Sequence, residues 1–379
     1  MDERIYFDHA ATTPLDKQVL EKMLPYFTDS FGNADSPHSF GRKAMAAVDS
    51  ARDCLAELLN AKKNEVYFTS GGTESDNWAL IGGARANRKQ GKTRVVLSAI
   101  EHHALLSAAE RLQKEGFEIV YLPVNKGGRV ELNALQSAIT EDTAIVALMA
   151  ANNETGVLQP VKEAAKIAKE KGALFFTDAV QAAPYMPIDV KEWGVDMLSL
   201  SAHKFYGPKG VGALYIRGGV KVEKLVGGGE QERGLRGGTV NVPSVVGMAA
   251  AYALARESMQ KDNEKLAVLS RRFLRELDGL AGVVRNGDLE ALPSVLNLRF
   301  EGVSNTALLY NLDLCGIAVA AGSACASASV KPSHVLTAMG LDERAAKESV
   351  RFSFGKNNTE SQIVAGARRV AELVTKLRS

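Results

Sequence analysis

Lys204 stands in "SAHKFYGPKG", residues 201–210, where an apolar run ends and glycine-rich turns begin. Most lysines are solvated surface charges. An amine at the end of a buried strand, with Ser201 and His203 beside it, is instead placed to form an imine with a carbonyl. Asp178 closes a second apolar run, "ALFFTDAV", where a carboxylate is poorly solvated and requires a cation or a strong donor. The two groups therefore make either a buried ion pair or two separate contacts to one bound molecule. A third stretch, "TSGGTESDN", has Gly71 and Gly72 to let backbone approach a ligand, and Thr73 opens a helix whose free N–H groups favour an anion. The same stretch also allows a plain helix cap, because Thr73 and Asp76 have capping-box spacing.

Pyridoxal phosphate would use all three: a lysine for the Schiff base, an acid for the pyridinium nitrogen and a glycine-rich helix start for the phosphate. Lys204 would then serve twice, as the covalent anchor and, once displaced by substrate, as the base that moves protons at the α-carbon. Ser201 and His203 are short, polar and adjacent, placed for the phosphate. The chain contains no GK[ST] P-loop and no GxGxxG, which points away from a nucleoside triphosphate or a dinucleotide.

These residues need a scaffold that brings them together. Apolar runs of strand length alternate with amphipathic segments of helix length from about residue 42 to 217: "EVYFTS", "RVVLSA", "EIVYLPV", "AIVALMA", "ALFFTDAV", "DMLSLSA" and "GALYIR". Runs buried on both faces, separated by segments such as "VKEAAKIAKEKG" with its Gly172 stop, predict a mostly parallel α/β sheet. In such sheets ligands gather at the carboxyl ends of the strands. The polar clusters "TSGGTESDN", "EHHA", "NNE", "TDAVQ" and "SAHK" all fall there, which predicts one shared site. Beyond about residue 243 a long helix and shorter strands predict a smaller α+β domain beginning near residue 260.

The 379 residues, 46% hydrophobic and 24% charged, are those of an ordinary globular protein. A net charge of +2 is too balanced for a nucleic-acid surface or a polybasic membrane patch. No apolar run approaches the roughly 18 residues of a membrane span. The acidic, non-apolar N-terminus does not read as a signal peptide, so a cytoplasmic protein is expected. The three cysteines, Cys54, Cys315 and Cys325, form no CxxC pair and read as reduced thiols, with no disulfide framework and no metal site. Cys54 and Cys315 read as small core residues. Cys325 lies in "AAGSACASASV", a small-residue stretch with no bulky anchor that reads as a mobile loop, and its residue types leave a core role and a nucleophile both open.

The ordered motifs "YFDHAATTP", "GNADSPHSFGRKA", "TSGGTESDN", "EHHA", "NNETG", "TDAVQ", "SAHKFYGPKG", "RGGTVN", "GSACAS" and "RFSFG" run nearly end to end. Through them the chain resembles the cysteine desulfurases of the NifS/IscS-like branch of the class V aminotransferase-fold enzymes. The resemblance implies a type I fold of pyridoxal phosphate enzymes: a large domain over residues 15–260 with a mostly parallel seven-stranded sheet, and a small α+β domain from residues 1–14 and 261–379.

It further implies that Lys204 carries the cofactor, Asp178 contacts the pyridine nitrogen, Gln181 the ring hydroxyl, and His102 stacks on the ring. Gly72, Thr73, Ser201 and His203 would hold the phosphate, joined by Thr239 from a second subunit of a homodimer. Asn153 and Arg351 would grip the substrate carboxylate, which suits a planar guanidinium fork. His103, outside the motif's fixed position, reads as ordinary, and the adjacent histidines do not read as a metal site, since neighbours on a strand point to opposite faces.

Cys325 becomes the implied nucleophile, taking sulfur from L-cysteine as a persulfide and leaving L-alanine. The acceptor would be an iron-sulfur scaffold or a tRNA-thiolating enzyme. The chain stops at "LVTKLRS", short of the tail with which some relatives dock a scaffold. A selenocysteine lyase or an aminotransferase on the same fold is the alternative, and a transaminase has no use for a mobile thiol.

Overall fold

The computed structural model describes residues 4–322 and 331–379. Among them are twelve strands: β1 Ile5–Tyr6, β2 Val66–Thr69, β3 Arg94–Ser98, β4 Glu118–Leu122, β5 Thr143–Ala147, β6 Leu174–Asp178, β7 Met197–Ser201, β8 Gly212–Ile216, β9 Val283–Asn286, β10 Val295–Phe300, β11 Ile317–Ala318 and β12 Ser349–Ser353. The seven apolar runs form a single sheet in the order β2-β8-β7-β6-β5-β3-β4. Only β8 opposes its neighbours; the other strands share one direction, so their carboxyl ends lie on the same edge. β5, β7 and β8 are buried along their whole length, as expected for strands covered by helices on both faces.

A second, smaller sheet in the order β12-β10-β9 is wholly antiparallel. Its core is a knot of aromatic rings. Phe7 meets Phe354 and Phe273 edge-on at 5.0 and 6.0 Å, and Phe273 lies 4.8 Å from Phe352. The 35-residue helix Val242–Glu276 serves both cores: Val242, Val245 and Met248 pack in the first, and Leu266, Leu269 and Phe273 in the second. Asn241 caps that helix by accepting from the Ser244 N–H. No helix among the described residues is long and apolar enough to cross a membrane.

The N-terminal segment acts as a strap between the two sheets. β1 pairs with β11, and the His9 N–H donates to the Ser353 carbonyl at the end of β12. A few residues on, both the backbone N–H and Oγ1 of Thr13 donate to the His203 carbonyl beyond β7. The strap therefore lays residues 8–13 across the carboxyl edge of the large sheet.

One buried ion pair pins the loop after β8. The Arg52 guanidinium donates through both Nη atoms to Glu232 at 2.6 and 2.7 Å, and Glu232 also accepts the Phe68 N–H of β2 at 2.9 Å. Both side chains are nearly sealed from solvent. Removing one partner leaves the other charge buried and uncompensated. Glu232→Ala is expected to lower the unfolding free energy by about 3 kcal/mol, read as a reduced urea midpoint.

Candidate active site

The polar strand ends meet around one cavity of about 230 Å³ at the carboxyl edge of the large sheet. Lys204 reaches it from a tight 3-10 turn, Ala202–Lys204, that leaves β7. Its Nζ donates to the carbonyls of Ala10 and Ala11 at 2.6 and 2.9 Å, so the strap supplies the amine's resting place. Asp178 ends the adjacent β6, in register with Ser199 of β7. Its Oδ1 accepts the Val180 N–H at 2.8 Å. Burial pushes the Asp178 carboxyl up to about 6, against the opposing pull of that N–H and of the Lys204 charge. An acid in this state gains most from a cationic partner.

Asp76 corrects the capping expectation. The helix Gly72–Asn77 has Gly71 as its N-cap and no capping side chain. Asp76 turns inward instead, accepting from Ser199 Oγ at 2.6 Å, and burial together with the nearby Asp178 charge raises its carboxyl far above the ordinary range. Gly71 has φ +154°, a conformation open to glycine, and a Cβ on Gly72 would meet Val180 Cγ2 at 3.1 Å. The bare backbone thus leaves room in the same cavity wall that holds Thr73, Ser201 and His203. The His203 ring lies 3.1 Å from Thr12 Oγ1, and burial with the Lys204 and Lys209 charges holds it down at about 4, hence neutral near pH 7.

His102 is not on a strand. It caps the helix His103–Lys114, its Nδ1 accepting the Ala104 N–H at 3.2 Å. An accepting Nδ1 puts the proton of the neutral ring on Nε2. Burial, then the charges of Lys204, His103 and His334, depress its pKa to about 4. His103 is the first residue of the helix, so the opposite-face argument for it does not apply; its ring lies 4.6 Å from that of His334. Gln181 Nε2 donates to the Ala10 carbonyl at 2.8 Å.

Arg351 enters the cavity already oriented. Nη1 donates to the Asn153 carbonyl and Nη2 to Asp8 Oδ1, each at 2.7 Å, while Nε is buried with no hydrogen-bond partner among the described residues. The Asn153 side chain lines the same cavity. Thr239 does not line it; this residue is exposed, on the loop that Arg236 ties to Glu74 through two hydrogen bonds of 2.8 and 2.9 Å. Cys325 lies outside the described residues. Of the other cysteines, Cys54 is half-buried, and Cys315 is exposed at a helix C-cap rather than in a core.

Residues 5–365 match the Aminotransferase class-V family. The chain belongs to the class-V aminotransferase family. It is 48% identical over 367 residues to the cysteine desulfurase IscS of Clostridium botulinum, spanning 96% of this chain and 92% of that protein. The cysteine desulfurase IscS of Methanosarcina thermophila is 46% identical over 379 residues, covering 100% of this chain and 94% of its own. A solved NifS-like protein superposes with a TM-score of 0.93 at 38% identity, over 99% of this chain and 100% of that one. A solved SspA in complex with cysteine gives 0.84 at 36% identity, over 94% and 100%.

The family's cofactor is pyridoxal phosphate, and the cavity fits it on its own chemistry. A buried carboxylate faces the same space as a lysine amine, and the wall beside a glycine turn offers hydroxyl and imidazole groups. Four features of the site escaped the sequence reading: the carbonyls of Ala10 and Ala11, Asp8 on Arg351, Asp76 on the cavity floor, and Glu101. The last is fully buried, accepts from Ser98 Oγ and the Met149 N–H, and is pushed by burial up to about 8. The only signal for it was an acid at a strand end, in "EHHA".

An acid raised in the folded state holds its proton longer there than in the unfolded chain. Its contribution to stability is full below its ordinary pKa and is lost as pH rises through the folded value. The cofactor-free protein should therefore melt at lower temperature as pH climbs through about 6. Asp178→Asn should flatten that part of the slope in a series of thermal melts.

Proposed function

We propose that this chain is a pyridoxal phosphate-dependent cysteine desulfurase. The observation that carries this reading is the meeting of Lys204, Asp178 and Arg351 in one cavity. The full-length likeness to cysteine desulfurases, and to a solved relative holding cysteine, supports the substrate.

Pyridoxal phosphate, when bound, supplies a sink for the electrons released at the substrate's α and β carbons. Lys204 would anchor it and, when freed, move the proton at the α-carbon. Asp178 would pair with the ring nitrogen, and Gln181 with the ring hydroxyl. Gly72, Thr73, Ser201 and His203 would hold the phosphate. His102 would meet the ring as a neutral imidazole that adds no competing charge. Arg351, kept in one orientation by Asp8 and Asn153, takes the substrate carboxylate, with Asn153 beside it.

Cys325 performs the transfer. Its thiolate attacks the sulfur of cysteine, so an S–S bond forms as the C–S bond breaks. The electron pair of the broken bond passes to the β-carbon, which takes a proton, and the products are L-alanine and a persulfide on Cys325. The persulfide sulfur then leaves to an acceptor protein, an iron-sulfur scaffold or a tRNA-thiolating enzyme, in the cytoplasm. The exposed Thr239 suits a role in the partner subunit's phosphate site, which makes the working unit a homodimer.

Cys325→Ser should keep the cofactor and its colour while sulfide release from cysteine falls about a hundredfold or more. Release at the undiminished rate would remove the thiol from the reaction and favour a lyase or aminotransferase chemistry that needs none.

A further inference from the structure

Glu154 follows the cavity residue Asn153 in "NNETG", yet it does not line the cavity and is completely buried. A polar group buried this deeply requires hydrogen-bond partners. Ser333 Oγ donates to Glu154 Oε2 at 2.5 Å. On the other side Gly322 packs so closely that a Cβ there would stand 3.1 Å from the same oxygen, at a backbone φ of +118°. Residues 322 and 333 flank the stretch that contains Cys325.

Each flank makes a further contact, the first of them with the strand of a cavity residue. The chain leading to Gly322 pairs with the strand of Arg351: the Ala320 N–H donates to the Arg351 carbonyl at 3.2 Å, and the Arg351 N–H returns a bond of 2.6 Å to Ala320. On the far flank Ser333 caps the helix His334–Ala338 by accepting the Leu336 N–H. The backbone of Glu154 is itself held. Its N–H donates to Asn152 Oδ1 at 2.9 Å, and its carbonyl accepts from Asn297 Nδ2 at 3.1 Å.

We infer that Glu154 is a positioning residue for sulfur transfer: its carboxylate takes the Ser333 hydroxyl bond and packs against Gly322, and so sets the spacing of the two ends between which Cys325 lies in sequence. The inference rests on the desulfurase reading for the purpose of that stretch. One carboxylate beside both flanks couples their spacing to its neighbour Asn153 and, through Ala320, to Arg351, which grip the substrate in that reading. Misplacing a reacting atom by about 1 Å costs up to a hundredfold in rate. Glu154 touches neither substrate nor cofactor in this account.

The test uses the cofactor-loaded enzyme and its Glu154→Ala, Glu154→Gln and Ser333→Ala variants. Three quantities are read: absorption of the bound cofactor, persulfide on the Cys325 peptide by mass spectrometry in a single turnover with cysteine, and amide hydrogen exchange. In Glu154→Ala and Ser333→Ala, cofactor absorption should match the parent, persulfide formation should slow about tenfold or more, and exchange should quicken at residues 320–322 and 331–336 alone. Glu154→Gln keeps an oxygen that accepts from Ser333 and should recover most of the rate. Persulfide formation within twofold of the parent in both alanine variants, or slowing accompanied by loss of cofactor and chain-wide exchange, would overturn the clasp. A parent enzyme that forms no persulfide on Cys325 would instead overturn the desulfurase reading, and the clasp with it.

Discussion

A carboxylate and an amine held at the edge of one sheet, where little water reaches either, set the terms for this structure. Burial raises the Asp178 carboxyl to about 6, and the N–H of Val180 and the charge of Lys204 only partly offset that burial. A protonated heterocycle facing Asp178 would relieve that cost of burial. The acid ends one strand and the amine sits on the tight turn that leaves its parallel neighbour, so their relation is set by sheet register and one short turn.

The architecture around this pair depends on a strap. Residues 5–13 begin paired with β11 beside the second core, where Phe7 is locked among Phe273 and Phe354, and end hydrogen-bonded to the turn that carries Lys204. The Ala10 and Ala11 carbonyls that receive Lys204 are therefore placed by the packing of the other core. Arg351 is linked in the same way, through Asp8 of the strap and the carbonyl of Asn153. Cavity groups placed by two hydrophobic cores thus share one set of hydrogen bonds, and the helix Val242–Glu276 spans both.

The parts legible in the sequence were those written in side-chain type and period. The seven apolar runs are the seven strands of the large sheet, and the polar clusters at their ends share one cavity, because a parallel sheet puts its carboxyl ends on one edge. What escaped was written in backbone or in distant packing. The alanine carbonyls that hold Lys204 have no side-chain signature and lie more than 190 residues away in sequence. Asp76 has the spacing of a cap, yet the glycine before it leaves the helix start without one and Ser199 draws the carboxylate inward. His102 and His103 follow an apolar run but begin a helix, so alternation along a strand was the wrong geometry for them. Cys315 ends an apolar helix whose last turn faces solvent, a distinction that residue type alone does not carry.

The central claim is a covalent bond between one amine and pyridoxal phosphate, opposite one buried acid. Reduction of the loaded enzyme with borohydride, followed by digestion and peptide mass spectrometry, tests it most directly. The account predicts that the peptide containing Lys204 alone gains the mass of the reduced cofactor. Label on a different lysine, with the Lys204 peptide unchanged, would contradict it.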